Sequence, residues 1–551
     1  MQTKKLDGRL FTRMVEGGAA RLFGSRKVVN DLNVFPIPDG DTGDNMYMTI
    51  DSGVSAAEGG EEGSIGGASG RIAEGMLLGA RGNSGVILSR IFAGISQGLK
   101  GLSAADTRDF AAAMENGVQE AYRAVSRPVE GTILTVIADG VRYANSRLGA
   151  ESDLESYFDD LGREMRASLD RTPELLPVLK EAGVVDSGGA GLVYIAEGMQ
   201  DALLGRELPE RGETASSSKV QKVDIASFTE DTELEFGYCT EFLLRLQTKK
   251  VGPVDKFDET PLKQWLSENG ESLVFFRDGS LIRVHVHSME PERILEHCHA
   301  FGEFLTMKME NMLLQHNESE VRNGYTPPKA RKKFGIVAVA AGEGIKKTFK
   351  ELGADAVVDG GQSMNPSAES FINAFSEVNA EHILVYPNNS NIILTAKQAA
   401  SLYKGAEVRV LPSKSVGECY AALSLLDTSS GDIDEIERGS EQIMASIMTG
   451  TVSRASRNTV RDGLAVREGE FIGFSDGRIY SASPDISDAA AGLMASLHAE
   501  DYGILMLVCG CDTEAQTSMK LKERLEKLFP MTEVILLDGG QPVYDYIMIL
   551  E

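Results

Sequence analysis

The sequence predicts a multidomain protein: an all-α N-terminal part, a small α+β middle domain, and an α/β C-terminal part with an internal repeat. Three observations predict it. Residues 1–205 carry apolar positions at helical spacing with few β-branched runs. Residues 223–325 change to short strands and short helices. From 333 onward, apolar strands alternate with helical stretches. A length of 551 residues fits about three or four domains.

In the first part, residues 9–23 place Leu10, Met14, Val15 and Leu22 on one helical stripe, and residues 104–125 are Ala-rich with spaced apolar positions. The polar, Ser-rich stretch 208–219 reads as a linker, which sets the first domain at 1–207. In the second part, 241–247 reads as a strand, 255–268 as a helix, and 272–276 with 281–287 as a hairpin. A helix opened by Pro291 (291–301) and a strand at 305–309 complete it. The order β-α-β-β-α-β is ferredoxin-like, over a domain spanning 223–325. A second linker at 323–333 leads to the last domain, 333–551. There 335–340 (GIVAVA), a helix and 354–362 (ADAVVDGGQ) recur as 503–508 (GILMLV), a helix and 532–541 (TEVILLDGGQ). Two copies imply two β-α-β lobes flanking a cleft. DGGQ after a strand suits either a ligand at the strand's carboxyl end or, more commonly, a tight strand-to-helix turn.

With 42% hydrophobic and 25% charged residues the composition is that of a globular protein. A net charge of −27 argues against nucleic acid or an anionic membrane as partner. Five cysteines without a C-x-x-C speak against a disulfide framework. The absence of an apolar leader at the start, and of any run of about 18 apolar residues, reads as a cytoplasmic protein without an integral membrane segment.

The chemistry concentrates in residues 33–45 (NVFPIPDGDTGDN), where Asp39, Asp41 and Asp44 share one loop between prolines and glycines. Pro36 and Pro38 fix φ, and Gly40 and Gly43 admit turn conformations. Crowded carboxylates repel unless a cation sits among them, and Mg2+ takes such oxygens. A lone D-x-D is more often a solvated turn; the framing residues and a second loop favour a metal here. That second loop, 78–88 (LGARGNSGVIL), has three glycines opening an apolar helix, with Arg81 and Ser84 beside free N–H groups suited to phosphate. It lacks the P-loop pattern and by itself is an ordinary helix entry. An acidic protein can hold a triphosphate only by placing cations between the two charges, so this pairing requires Mg2+.

PDGDTGDN and GARGNSG resemble the ATP-binding subunit of dihydroxyacetone kinase and, more closely, the fatty acid kinase A subunit. The resemblance implies an all-helical barrel over residues 1 to about 205, binding ATP and two Mg2+ ions at its rim. Asp39 and Asp41 match the metal-binding aspartates, and Asn33 stands roughly where the family has a third Asp. Thr42, Gly43 and Asn45 match the segment against the phosphates, and Ser84 and Gly85 the second phosphate loop. The stretch 130–134 (EGTIL), with Thr132, Ile133 and Leu134, resembles the segment near the adenine, and Asp186 opens a loop resembling Asp-Pro-Gly-Ala. Two departures stand out: Asn33 replaces a carboxylate, and Ser187 replaces a proline. The resemblance also implies that the C-terminal domain is related to the fatty-acid-binding partner and docks it.

In the middle domain, His285 and His287 are two apart on a strand, so both rings share a face, and Cys239 precedes the strand expected to pair with it. Cys plus two His is a Zn2+ set with one open position; strand histidines and a buried thiol are the plainer reading. The resemblance implies a role in activity for these three. His297, Cys298 and His299 lie on a helix where i and i+2 diverge, so they read as incidental. Together these readings imply the ATP-dependent component of a two-component fatty acid kinase, transferring phosphate to the carboxyl of a fatty acid presented by a separate fatty-acid-binding protein. A dihydroxyacetone or polyol kinase subunit, or a nucleotide-sensing scaffold with a vestigial site, are the alternatives, and homodimerisation is left open.

Overall fold

The computed structural model describes residues 5–33, 40–58, 63–125, 127–149, 151–206, 208, 238–278, 280–311, 331–361, 365–428 and 431–551. Both expected linkers fall almost entirely outside these residues, as does Asp39. Two compact units form: Met1–Thr214 together with Lys329–Glu551, and Ala215–Pro328. The helical and C-terminal α/β segments, read from the sequence as separate domains, thus share one unit.

The helical segment holds α1 (Gly8–Asp31), α2 (Thr42–Ala57), α3 (Ile65–Gly79), α4 (Gly82–Leu99), α5 (Thr107–Ala124), α6 (Ile133–Ser146), α7 (Leu154–Leu175), α8 (Pro177–Ala182) and α9 (Ser187–Leu203). Two-residue strands β1 (Leu6–Asp7) and β2 (Ala104–Ala105) pair antiparallel beside them. Local chemistry sets the starts. Asp7 accepts from Leu10 N at 2.9 Å to open α1, and Asp106 with Asp109 forms a capping box on α5. The apolar stripes meet in one core in which Phe110 stacks on Phe158 at 5.6 Å and meets Phe11 edge-on at 6.5 Å.

The middle unit pairs β3 (Tyr238–Leu246), β4 (Glu271–Asp278), β5 (Leu281–Ser288) and β6 (Gly302–Asn311) in the order β4-β5-β3-β6. Every pairing is antiparallel. The element order is the one read from the sequence, except that the first long helix starts at Thr260 rather than 255, after a 3-10 turn at Val254–Lys256. Pro261 explains the delay: it sits in the first helical turn, where its missing N–H costs nothing. Phe242, Leu244, Ile282 and Val284 bury against Leu262, Leu266 and Ile294 of the two main helices. His297 stacks flat on Trp265 at 3.7 Å, and burial pushes the Cys298 thiol up to about 12, so this pair packs the domain.

The C-terminal segment builds two sheets. β7 (Lys332–Ala340), β8 (Ala356–Asp359), β9 (Ala380–Tyr386) and β10 (Glu407–Val410) run parallel in the order β10-β9-β7-β8, which explains the continuous apolar run in β7. A hairpin joins β12 (Thr459–Arg461) and β13 (Leu464–Val466). The remaining strands, β11 (Met448–Arg454), β14 (Phe471–Ser475), β15 (Arg478–Ser483), β16 (Ile504–Gly510), β17 (Glu533–Gln541) and β18 (Tyr546–Leu550), form a sheet in the order β15-β14-β11-β18-β16-β17. Both copies of the repeat are parallel β-α-β units, but only β16–β17 is parallel in the second sheet. The second DGGQ is not a turn into a helix. It forms the end of β17, where Gly540 takes φ +64° opposite a register shift at Cys509/Gly510. A cleft of about 920 Å³ is lined by Gly360 and Gly361 after β8 and by Gln541 at the end of β17.

The helix Glu343–Glu351 starts against β17, and a Cβ on Gly344 would run into the Asp538 carbonyl. Gly344→Ala is therefore expected to lower unfolding free energy by about 1–3 kcal/mol through overpacking. Gly439, in the helix Ile433–Ala445, has nothing within 4 Å of an added Cβ. Gly439→Ala should raise stability by about 0.5–1 kcal/mol. Urea unfolding of both variants checks the contrast; like-signed shifts would refute the packing argument.

Candidate functional site

α2 starts where its sequence provides an aspartate at the N-cap, yet Asp41 makes no capping bond. Asn30, from α1, does that work, accepting from Gly43 N at 2.7 Å while its Nδ2 donates to Asp44 Oδ2 at 2.7 Å. Asp44 is further held by Arg26 at 3.6 Å, and Arg26 stacks over Phe23 at 3.9 Å. Of the loop's described carboxylates, Asp44 is therefore committed to local partners and Asp41 is not.

Asp41 is half-buried, and its carboxyl is pushed up to about 6, chiefly by loss of water, with the nearby Asp44 charge adding to the rise. The amide side chains of Asn45 and Asn391 pull the other way. Asn365 Nδ2 donates to its Oδ2. Asn365 and Asn391 come from the C-terminal segment, in loops beyond the carboxyl ends of β8 and β9.

The second loop lies against the first. Gly82 opens α4 at φ +58°, and a Cβ there would stand 2.7 Å from Asn45 Nδ2. At Gly85 a Cβ would collide with Thr49 Oγ1, so glycine lets the two helix starts touch. Ser84 stands in the first turn of α4, and Asn83 N donates to Asn391 Oδ1 at 3.0 Å. Arg81 does not face an open site: its N–H reaches Thr49 Oγ1 at 3.3 Å and its Nη1 the Asn365 carbonyl at 2.8 Å. Burial lowers the pKa of its guanidinium.

The remaining sequence-derived residues join through hydroxyls and helix ends. Thr42 Oγ1 donates to Asn33 Oδ1 at 3.0 Å, and Ser187 Oγ lies 3.3 Å from both. The two departures noted in the sequence, Asn33 and Ser187, thus meet each other. Arg457 from the C-terminal segment donates to the carbonyls of Asp31 and Asn33 and fixes the loop's entry. Asp186 caps α9, accepting from Gly189 N at 2.7 Å, and a backbone bond from Ile133 ties it to the start of α6. Burial pushes Asp186 up to about 6. Thr132 is the N-cap of α6 but bonds Val129 O at 2.8 Å, while Ile133 and Leu134 are buried.

Four helix starts, those of α2, α4, α6 and α9, are therefore linked through Asp41–Asn45, Gly82–Gly85, Ile133 and Asp186–Ser187. Helix N-termini carry unsatisfied N–H groups and partial positive charge, the ordinary setting for phosphate. The residues present fit Mg2+ with a phosphate chain on two observations. Asp41 is desolvated and no described cationic side chain pairs with it. The Oδ1 atoms of Asn83 and Asn365 are buried without a hydrogen-bond partner.

In the middle unit, Cys239 is the backbone partner of His287, and Glu241 of His285. The side chains of Cys239, His285 and His287 are outside the description. Among the described residues no group of three or more His, Cys, Asp or Glu forms a metal cluster. Among the same residues no helix is long and apolar enough to cross a membrane.

Family models match along the chain: a DAK2 domain over 36–201, the FakA-like middle domain of fatty acid kinase over 235–319, and the FakA-like C-terminal region of fatty acid kinase over 335–551. Protein YloV of Bacillus subtilis is 39% identical over 100% of both chains. The chain belongs to the FakA-like fatty acid kinase family. A Staphylococcus haemolyticus protein is 35% identical across 99% of this chain and 100% of its own length. A solved dihydroxyacetone kinase from C. freundii, in complex with AMP-PNP and Mg2+, is similar with a TM-score of 0.28 at 19% identity, over 36% of this chain and 35% of that one. The FakA-like family is kinase-related, with a helical DAK2-like N-terminal part and an α/β C-terminal part. Asn30, Asn365, Asn391 and Arg457 carried no motif in the sequence. The signal that could have found two of them is an Asn-bearing loop just after an apolar parallel strand, where α/β sheets bind ligands.

Asp41's folded pKa near 6 lies above an unfolded value of about 4, so the fold holds its proton more tightly. The stability this brings is present below pH of about 4 and is lost as pH rises through 6. Asp41→Asn should thus be more stable than the parent at pH 8, by about 2–3 kcal/mol, with the gain vanishing near pH 4. Thermal unfolding across pH checks it; a gain independent of pH would refute the burial argument.

Proposed function

We propose that this chain is the ATP-binding subunit of a two-component kinase that phosphorylates the carboxyl group of a fatty acid presented by a separate fatty-acid-binding protein. The product is an acyl phosphate. The observation that carries the nucleotide site is a chain of contacts linking four helix starts, at one of which stands a desolvated carboxylate without a described cationic partner, Asp41. The fatty acid acceptor and the division into subunits are supported by the name of the family the chain belongs to.

In this reading Asp41, with Asp39 of the same loop, holds Mg2+, and Thr42, Gly43, Asn45, Ser84 and Gly85 line the phosphates. Thr132, Ile133 and Leu134 lie toward the base, and Asp186 locks the starts of α6 and α9 in place. Asn33 contributes through Thr42 and Ser187 and not as a charged ligand. Mg2+, when bound, supplies charge neutralisation for the triphosphate. The acceptor carboxylate is ionised at pH 7 and needs no base. Its oxygen bonds to the γ-phosphorus as the bond to the ADP oxygen breaks, so no proton has to leave. No histidine precedes His285 in the sequence, which suits a nucleophile that requires none. Alignment and charge compensation are then the main demands on the protein. The C-terminal segment, with its cleft and its loops against the nucleotide site, is the proposed partner-docking part. Zn2+ at Cys239, His285 and His287 remains a proposal of the sequence, checked by metal content of the purified protein.

The test is ATP turnover with a purified fatty-acid-binding partner loaded with oleate, the acyl phosphate being trapped as hydroxamate. Wild type should form hydroxamate only with the loaded partner, and Asp41→Asn should lose at least about 100-fold while remaining folded. Phosphorylation of dihydroxyacetone without any partner would replace this reading by the polyol kinase. Bound ATP with no turnover on either acceptor would favour a nucleotide-sensing scaffold.

A further inference from the structure

We propose that Asn365 is part of the cation site: a C-terminal residue that supplies an oxygen to the ion held at Asp41, so that the kinase site is complete only with the C-terminal segment docked. This rests on the nucleotide-site reading above and adds a ligand from a segment 324 residues away.

Three observations carry it. Asn365 is 2% exposed, and its Nδ2 donates to Asp41 Oδ2. The other end of the same amide, Oδ1, is buried with no hydrogen-bond partner, and a buried acceptor left unpaired is costly. The backbone beneath it is fastened to the start of α4. The Asn365 carbonyl accepts from Arg81 Nη1 at 2.8 Å, Ala368 N donates to Ala80 O at 3.2 Å, and Arg81 bridges to Ser367. A carboxylate and an amide oxygen on adjacent groups are the hard ligands Mg2+ takes.

The two ends of the amide suit two states. Without a cation, the NH2 end satisfies the Asp41 carboxylate, as observed. With a cation at Asp41, the oxygen end is the favourable one, and the broad sp3–sp2 torsion of an Asn side chain allows the amide to turn. Asn391 stays in place in both states, because its Oδ1 accepts from Asn83 N at the start of α4. Asn365 is thus assigned as a ligand of the ion through Oδ1, and the Arg81 contact as what sets its reach.

The experiment titrates Mg2+ into the full-length chain at fixed ATP, read by a fluorescent ATP analogue and by thermal shift, for wild type, Asn365→Ala, Asn365→Asp and Asp41→Asn. Asn365→Ala should raise the half-saturating Mg2+ concentration by about 10–100-fold. Asn365→Asp places a second carboxylate beside Asp41, so its Tm without metal should fall below wild type, and its Mg2+-induced rise in Tm should exceed that of wild type. A purely structural latch predicts lower Tm in both variants with unchanged Mg2+ half-saturation and an unchanged Mg2+-induced rise; that result overturns the proposal. If Asn365→Ala does not fold, Asn365→Asp alone decides. No Mg2+-dependent ATP binding in wild type, or none lost in Asp41→Asn, would instead overturn the nucleotide-site reading itself.

Discussion

A carboxylate taken out of water without a cation beside it is the constraint around which this molecule is arranged. Asp41 stands at the start of a helix but does not cap it; Asn30 accepts the Gly43 N–H, one an N-cap side chain would otherwise take. Its charge is opposed by burial and by Asp44, and is offset by its own backbone N–H and by the side-chain amides of Asn45, Asn365 and Asn391. In a chain of net charge −27 this is an expensive arrangement. Catalytic sites are where such departures from the most stable packing are found.

The cost is offset by geometry that no single segment supplies. The start of α4 can reach α2 because Gly82 and Gly85 carry no side chain where Asn45 and Thr49 stand. Asp186 draws α6 and α9 together by accepting backbone N–H groups from both. The C-terminal segment then closes over the same loops through neutral amides, and Gln398 extends the contact to Arg90 of α4 at 3.0 Å and to the Leu77 carbonyl of α3 at 2.6 Å. These are directional bonds, so a small movement of the C-terminal segment changes what surrounds Asp41.

The two positions where the sequence departs from the resemblance explain each other. A proline at 187 has no hydroxyl, and a carboxylate at 33 would add another charge to a loop already crowded with them. With Asn33 and Ser187 together, two hydroxyls converge on one neutral amide oxygen. That arrangement is self-sufficient without a cation, so Asn33 is held by hydroxyls and carries no charge into the loop.

The sequence by itself determined what depends on neighbours along the chain. The helical spacing of the first part, the β-α-β-β-α-β order of the middle, and the placement of Ser84 and Gly85 at a helix start were legible because glycines and periodicity act over a few residues; that Thr42–Asn45 open a helix and that Asp186 caps one, where the sequence reads loops, appeared only in the fold. The tertiary structure decided the rest. Which helix starts meet, and that Asn365 and Asn391 reach Asp41, depend on contacts between segments some 300 residues apart, for which one sequence has no local signal. The second DGGQ belongs to a strand and not a turn because β16 pairs with it to its end. Whether Asp41 carries a proton near neutrality is set by how much water the packing excludes, a quantity that exists only once the chain has folded.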